Sequence, residues 1–215
     1  MNYYLDITLL PDSDVNLGFL WQKVYQQVHI ALVDNKVDKN ESVIAVSFPR
    51  YAEQAFPLGD QLRLLANEES QLTKLNIAKW LNRLEDYTHI KSIKPVPENV
   101  SHVCFIRQQV KGLIGVEKKM QAKAEYLSSK FDKPINECLK SLEKSKPKAN
   151  RDEAKLPFIW LESQETKQRN LGGSQKFPLF IKRVEVVDRQ VGVFNCYGLS
   201  ANDNKAGLFA SIPQF

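Results

Sequence analysis

The chain carries three histidines, His29, His89 and His102, and His29 lies beside an apolar helical stripe, where an imidazole could serve chemistry. It lies in "YQQVHIALV" (25–33), four residues after Tyr25 and three before Leu32, at the margin of an apolar helical stripe. An imidazole there can project past the packed face into a groove. A half-buried histidine bonded to a neighbouring carbonyl fits the same position, so the spacing leaves both readings open. His89 and His102 fare no better on their own and read as structural. An ordinary histidine pKa of ~6.5 keeps a neutral ring available near neutral pH, which makes histidine the natural general base for such chemistry.

Other chemistries lack their residues. There is no HExxH and no pair of histidines on one helix, so no metal site is legible. Neither GxxxxGK[ST] nor GxGxxG occurs, which removes kinase, ATPase and dehydrogenase readings and leaves no cofactor to assign. Cys104, Cys138 and Cys196 are widely spaced and odd in number, which argues for buried thiols rather than a disulfide framework.

Charge narrows the substrate. Residues 1–106 hold 10 Lys and Arg against 13 Asp and Glu, residues 107–155 hold 13 against 7, and residues 156–215 hold 7 against 5. An acidic first half therefore precedes a basic second half, and a polyanion, nucleic acid above all, is the partner that pattern suits. In RNA the 2′-hydroxyl lies beside its own 3′-phosphate, so a base and in-line geometry suffice for internal transesterification without metal or cofactor. No apolar run approaches the ~18 residues of a membrane span, and "MNYYLDITLLPDSD" has no basic stretch ahead of an apolar one. The expectation is a soluble, cytoplasmic protein that engages no membrane.

These residues need elements to position them. "YYLDITLLP" (3–11) reads as a strand and 17–33 as an amphipathic helix. "SVIAVSFP" (42–49) and "QLRLLA" (61–66) read as strands, followed by a helix over 72–84 with Ser70 as N-cap and a strand over 87–96. The order βαββαβ predicts an α+β fold, with a ferredoxin-like domain over 1–97 and a linker in "KPVPENV". The remainder, 98–215, reads as a basic α/β domain with a small antiparallel sheet. A strand over 101–111 leads to a helix over 115–131 that carries Lys118, Lys119 and Lys123, with Met120, Tyr126 and Leu127 to pack it. A charged linker (145–155) precedes strands at 156–163, 177–187 and 192–200, with a polar glycine-containing loop between the first two.

Four stretches in order, "YYLDITLLPD" with "VHIALV", "IAVSFP", "LPFIWLESQ…KFPLFIKR" and "NCYGLS", resemble the CRISPR repeat-processing endoribonucleases of subtype I-F. The resemblance covers most of the chain and is strongest at its two ends. It implies a ferredoxin-like N-terminal domain and a basic C-terminal domain that grips a stem-loop of repeat RNA, cuts at the 3′ base of the stem and keeps the product. It places the catalytic histidine at His29, the serine that holds the attacking sugar at Ser163 and the catalytic tyrosine at Tyr197. By the same likeness Arg107 and Gln109 read the base pairs at the foot of the stem, Phe177 stacks on the terminal pair, and Gln164 lies beside the cleavage site. Lys111, Lys118, Lys119 and Lys123 are the candidates for phosphate contacts. Partners implied are the repeat RNA and other subunits of a type I-F effector complex.

The chain also departs from that pattern. Residues 115–131 hold lysines and no arginine where the family's groove helix is arginine-rich, and lysine gives charge without bidentate geometry. Glu165 replaces the family's second serine, and the stretch from Ser163 to Phe177 is longer than usual. A rival of another class shares the fold and the basic half: a non-catalytic subunit that binds the RNA hairpin within a guide-RNA complex.

Overall fold

The computed structural model describes residues 1–109, 113–144, 155–162, 176–201 and 209–215; within 113–144 its side chains are described from 120 to 142. Two compact units result, Met1–Gln108 with Pro157–Phe215, and Gln109–Leu156.

The first unit opens with Tyr3–Leu9 (β1) and Leu17–Asp34 (α1). Asn16 starts α1 by accepting the Phe19 N–H at 3.0 Å, an N-cap that satisfies a donor the helix itself leaves free. Leu20, Trp21, Val24, Tyr25, Val28, Ala31 and Leu32 form its buried stripe, the three- and four-residue spacing that a helix converts into one face. Glu41–Ser42 (β2), Ala45–Ser47 (β3) and Gln61–Ala66 (β4) follow, then the helices Glu69–Leu75 (α2) and Ile77–Trp80 (α3), a 3₁₀ stretch Asn82–Tyr87, and the strands Thr88–Ile90 (β5) and Lys94–Pro95 (β6). The strands form an antiparallel sheet in the order β3-β4-β1-β5, with β6 also pairing β1. Ile7, Leu62, Leu64 and Phe48 are fully buried with Trp21 and Tyr25 of α1.

Ser101–Gln108 (β7), Phe158–Glu162 (β8) and Lys176–Glu185 (β9) build a second antiparallel sheet, Phe194–Asn195 (β10) pairs β2, and Ile212–Gln214 (β11) completes the order β11-β7-β9-β8. Within the first unit α1 packs on β8. In the second unit Leu113–Phe131 (α4) packs on Ile135–Lys144 (α5).

The architecture is mixed α and β with antiparallel sheets, and several boundaries differ from the sequence reading. The strand expected at 42–49 is two pieces, because Ser42 Oγ accepts the Ile44 N–H at 3.0 Å and donates to its carbonyl at 2.9 Å, taking that backbone out of a ladder. The expected 72–84 helix starts earlier, where Gln71 Oε1 accepts the N–H groups of Asn67 and Glu68 at 3.1 Å, so Ser70 is not its cap. It breaks at Asn76, whose φ of 45° is left-handed. Tyr126, expected to pack α4, is 62% exposed, while Ala124 is fully buried. The α5 helix and β11 were not anticipated. Cys104, Cys138 and Cys196 are free and buried, and among the described residues no helix is long and apolar enough to cross a membrane.

Candidate active site

His29 flanks the buried stripe of α1 and is itself half-buried. Its Nδ1 lies 2.9 Å from the Cys196 carbonyl oxygen. A carbonyl only accepts, so Nδ1 carries the ring proton, and the neutral imidazole has its lone pair on Nε2. Nε2 has no hydrogen-bond partner among the described residues. The ring stacks on Tyr197, centroids 4.4 Å apart and planes within 11°. Burial lowers the His29 pKa foremost, the Cys196 carbonyl opposes this by stabilising the protonated ring, and the Arg107 charge lowers it again.

Tyr197 is positioned by the turn after β10. Asn195 Oδ1 accepts the N–H groups of Tyr197 at 2.9 Å and Leu199 at 3.3 Å, an Asx-type turn that only a short amide or carboxylate side chain can make. Gly198 adopts φ 71°, and its carbonyl accepts the Val46 N–H at 2.8 Å. From α1, Tyr25 donates its hydroxyl to the Tyr197 carbonyl at 2.8 Å. Tyr25 is fully buried, and its phenol pKa is raised by burial first and by Tyr197 second, so it stays a donor. One helix thus grips the turn twice, through Tyr25 and through His29.

Arg107 is exposed near the end of β7. Its guanidinium lies 5.1 Å from the Tyr197 ring centroid and 5.6 Å from that of Phe177, with the two rings edge to face at 6.5 Å. A cleft of about 410 Å³ opens here, lined in part by Arg107, Gln108, Asn195 and Tyr197. The structure therefore brings His29, Tyr197, Arg107 and Phe177 together from α1, the β10 turn, β7 and β9.

The other candidates lie elsewhere. Gln109 is exposed and belongs to the second unit, as does Lys123, exposed on α4. Lys118 and Lys119 fall on the α4 backbone, and their side chains lie outside the described residues, as do Lys111, Ser163, Gln164 and Glu165 altogether. Sequence reasoning missed Gln26. Its side-chain amide accepts the Glu162 N–H at 2.8 Å and donates to the Glu162 carbonyl at 3.4 Å, so α1 holds the last described residue before Ser163. Polar residues one turn ahead of a catalytic candidate are the only signal that could have flagged it. No three His, Cys, Asp or Glu side chains converge as metal ligands among the described residues.

A neutral imidazole whose Nε2 has no partner among the described residues can take a proton, and the Arg107 guanidinium beside the Tyr197 ring can meet an anion. The family model described as CRISPR-associated protein (Cas_Csy4) matches residues 4–215, and the chain belongs to that family. It is 30% identical over 201 residues to the CRISPR-associated endonuclease Cas6/Csy4 of Pseudomonas aeruginosa (strain UCBPP-PA14), covering 93% of this chain and 96% of the relative. To the protein of the same name from Escherichia coli (strain UTI89 / UPEC) it is 28% identical over 216 residues, the full length of both.

Proposed function

We propose that the protein is an endoribonuclease that cleaves CRISPR precursor RNA at the 3′ base of the repeat stem-loop and retains the product hairpin. Family membership supports the substrate class, and the bond between His29 Nδ1 and the Cys196 carbonyl is the observation that carries the mechanism, because it leaves Nε2 as the open base. Nε2 takes the proton of the 2′-hydroxyl, and the 2′-oxygen attacks the adjacent phosphorus in line. The bond to the 5′-oxygen breaks, and that oxygen takes a proton to become a 5′-hydroxyl. The products are a 2′,3′-cyclic phosphate or 3′-phosphate on one strand and a 5′-hydroxyl on the other, and no step needs a metal ion.

In this reading Ser163 holds the attacking ribose through a hydroxyl that both donates and accepts, and Tyr197 fixes the imidazole plane by stacking. Arg107 and Gln109 read the pairs at the stem's foot, bidentate arginine to guanine and glutamine to adenine, while Phe177 stacks on the terminal pair and Gln164 lies beside the cut. Lys111, Lys118, Lys119 and Lys123 supply phosphate contacts. The strand order β3-β4-β1-β5, all antiparallel with helices between, supports a ferredoxin-like domain over 1–97, with 98–215 as the basic RNA-binding domain. The protein acts in the cytoplasm, alongside other subunits of a type I-F effector complex.

The test is cleavage of a repeat hairpin in EDTA by the wild type and by His29→Ala. Wild type cuts; His29→Ala binds with unchanged affinity and loses roughly 10²–10⁴-fold in rate. A wild type that binds without cutting would instead be a guide-RNA-binding subunit.

A further inference from the structure

A second cleft, of about 360 Å³, lies between α1 and the α3–3₁₀ stretch, lined by Lys23, Gln27, Lys79, Trp80, Asn82, Arg83 and Leu84. It is separate from the imidazole: Gln27 precedes His29 by two residues, a turn of about 200° around the helix. Its volume is within the ~300–1,000 Å³ of ligand clefts.

Its chemistry is unusual for its surroundings. Residues 1–106 carry 13 carboxylates, none of which lines this cleft, yet it gathers three of the 10 cations of that segment. Glu85 and Asp86 follow Arg83 in sequence and are exposed, but they do not line the cleft either. None of Lys23, Lys79 and Arg83 forms an ion pair among the described residues. Solvated lysines alone would carry no message. Here the cations surround the half-buried indole of Trp80, which with Leu84 packs on the core, and Lys23 Nζ also lies 5.2 Å from the ring centroid of Phe19, a side chain 48% exposed. Gln27 and Asn82 add amide donors and acceptors. Uncompensated cations interleaved with accessible aromatic rings are what an unpaired nucleic-acid strand binds: phosphates take the charge, and any base can stack on a ring.

We propose that this cleft is a second RNA-binding site, which takes a single-stranded segment with phosphates on Lys23, Lys79 and Arg83 and a base on Trp80. The choice of RNA as the polyanion rests on the function proposed above; the presence of the site does not.

The experiment measures binding of a fluorescein-labelled twelve-nucleotide oligouridine to the full chain by anisotropy across salt concentrations, with hairpin cleavage followed in parallel. Lys23→Ala/Lys79→Ala/Arg83→Ala should weaken oligouridine binding about tenfold or more at low salt and flatten the log–log salt slope by about 2, the release expected from three phosphates at ~0.7 each. Trp80→Leu should weaken it about tenfold with the salt slope unchanged, as loss of stacking requires. Lys23→Arg/Lys79→Arg, which keeps all three charges with Arg83, should bind as the wild type does, and all variants should cut the hairpin at the wild-type rate. Wild-type affinity in the triple alanine variant, or polyglutamate competing as well as RNA, would overturn the proposal, the latter in favour of an acidic protein surface. A wild type that fails to cut the hairpin but binds oligouridine through this cleft would overturn the proposed function and leave this site standing.

Discussion

His29 is held neutral by its setting. Burial is the largest influence and lowers the pKa, Arg107 lowers it further, and the Cys196 carbonyl only partly opposes them. The base form is therefore populated through neutral pH, and kcat/KM, which reports the free enzyme, should rise along an acid limb with its midpoint below ~6.5 and then stay flat. Arg107→Ala should move that midpoint up toward ~6.5, whatever it does to affinity. A midpoint above 6.5 in the wild type, measured by single-turnover cleavage at limiting protein, would contradict this. The same lowered pKa destabilises the fold as pH falls below the unfolded value of ~6.5, because the unfolded chain accepts a proton that the folded ring resists. The sequence made His29 legible through its place beside the stripe of α1. Its partner was not legible, since the Cys196 carbonyl is 167 residues away and belongs to the backbone, which carries no sequence signal.

At the scale of elements, α1 and the β10 turn hold His29 and Tyr197, and α1 also holds the end of β8. A Cβ on Gly198 would lie 2.4 Å from Val46 Cγ2, and its φ of 71° is strained for any side chain. Gly198→Ala should cost about 1–3 kcal/mol or more in urea unfolding and slow cleavage by displacing Tyr197. Gln26→Leu removes both bonds to Glu162, so single-turnover cleavage should fall at least tenfold with hairpin affinity retained, since small misplacements of a positioning group cost up to ~10²-fold. Unchanged cleavage in Gln26→Leu would show that α1 does not organise the strand end. Elements were legible where periodicity was long and unbroken, as in α1, or where a short apolar run was cleanly bounded, as in β4, whose bounds agree with the reading of 61–66. They were illegible where one residue decides: Asn76 interrupts a helix through a left-handed φ that its side chain permits but does not announce, and Ser42 splits a strand through its own hydroxyl. The three-residue β11 is too short for a pattern and exists because Ile212 and Gln214 pair with Val103 and Ser101.

The whole molecule depends on pairings across long stretches of chain. Asp6 and Arg63, opposite each other on β1 and β4, form a buried ion pair at 2.7 Å, and the guanidinium also donates to the Phe215 carbonyl at 2.9 Å and lies 3.8 Å from its ring centroid. Asp6→Asn leaves a buried cation without its counter-charge and should cost about 3–5 kcal/mol in equilibrium unfolding; a loss under 1 kcal/mol would mean the pair contributes nothing beyond packing. In the proposed reaction the RNA supplies its own nucleophile to the His29 base. Its most direct test replaces the single 2′-hydroxyl at the cut site by hydrogen and follows the hairpin with wild-type protein in EDTA. The expected result is nearly unchanged binding, no detectable cutting of the deoxy hairpin and full cutting of the ribose one. Cutting of the deoxy hairpin, or cutting of the ribose one only after magnesium is added, would contradict it.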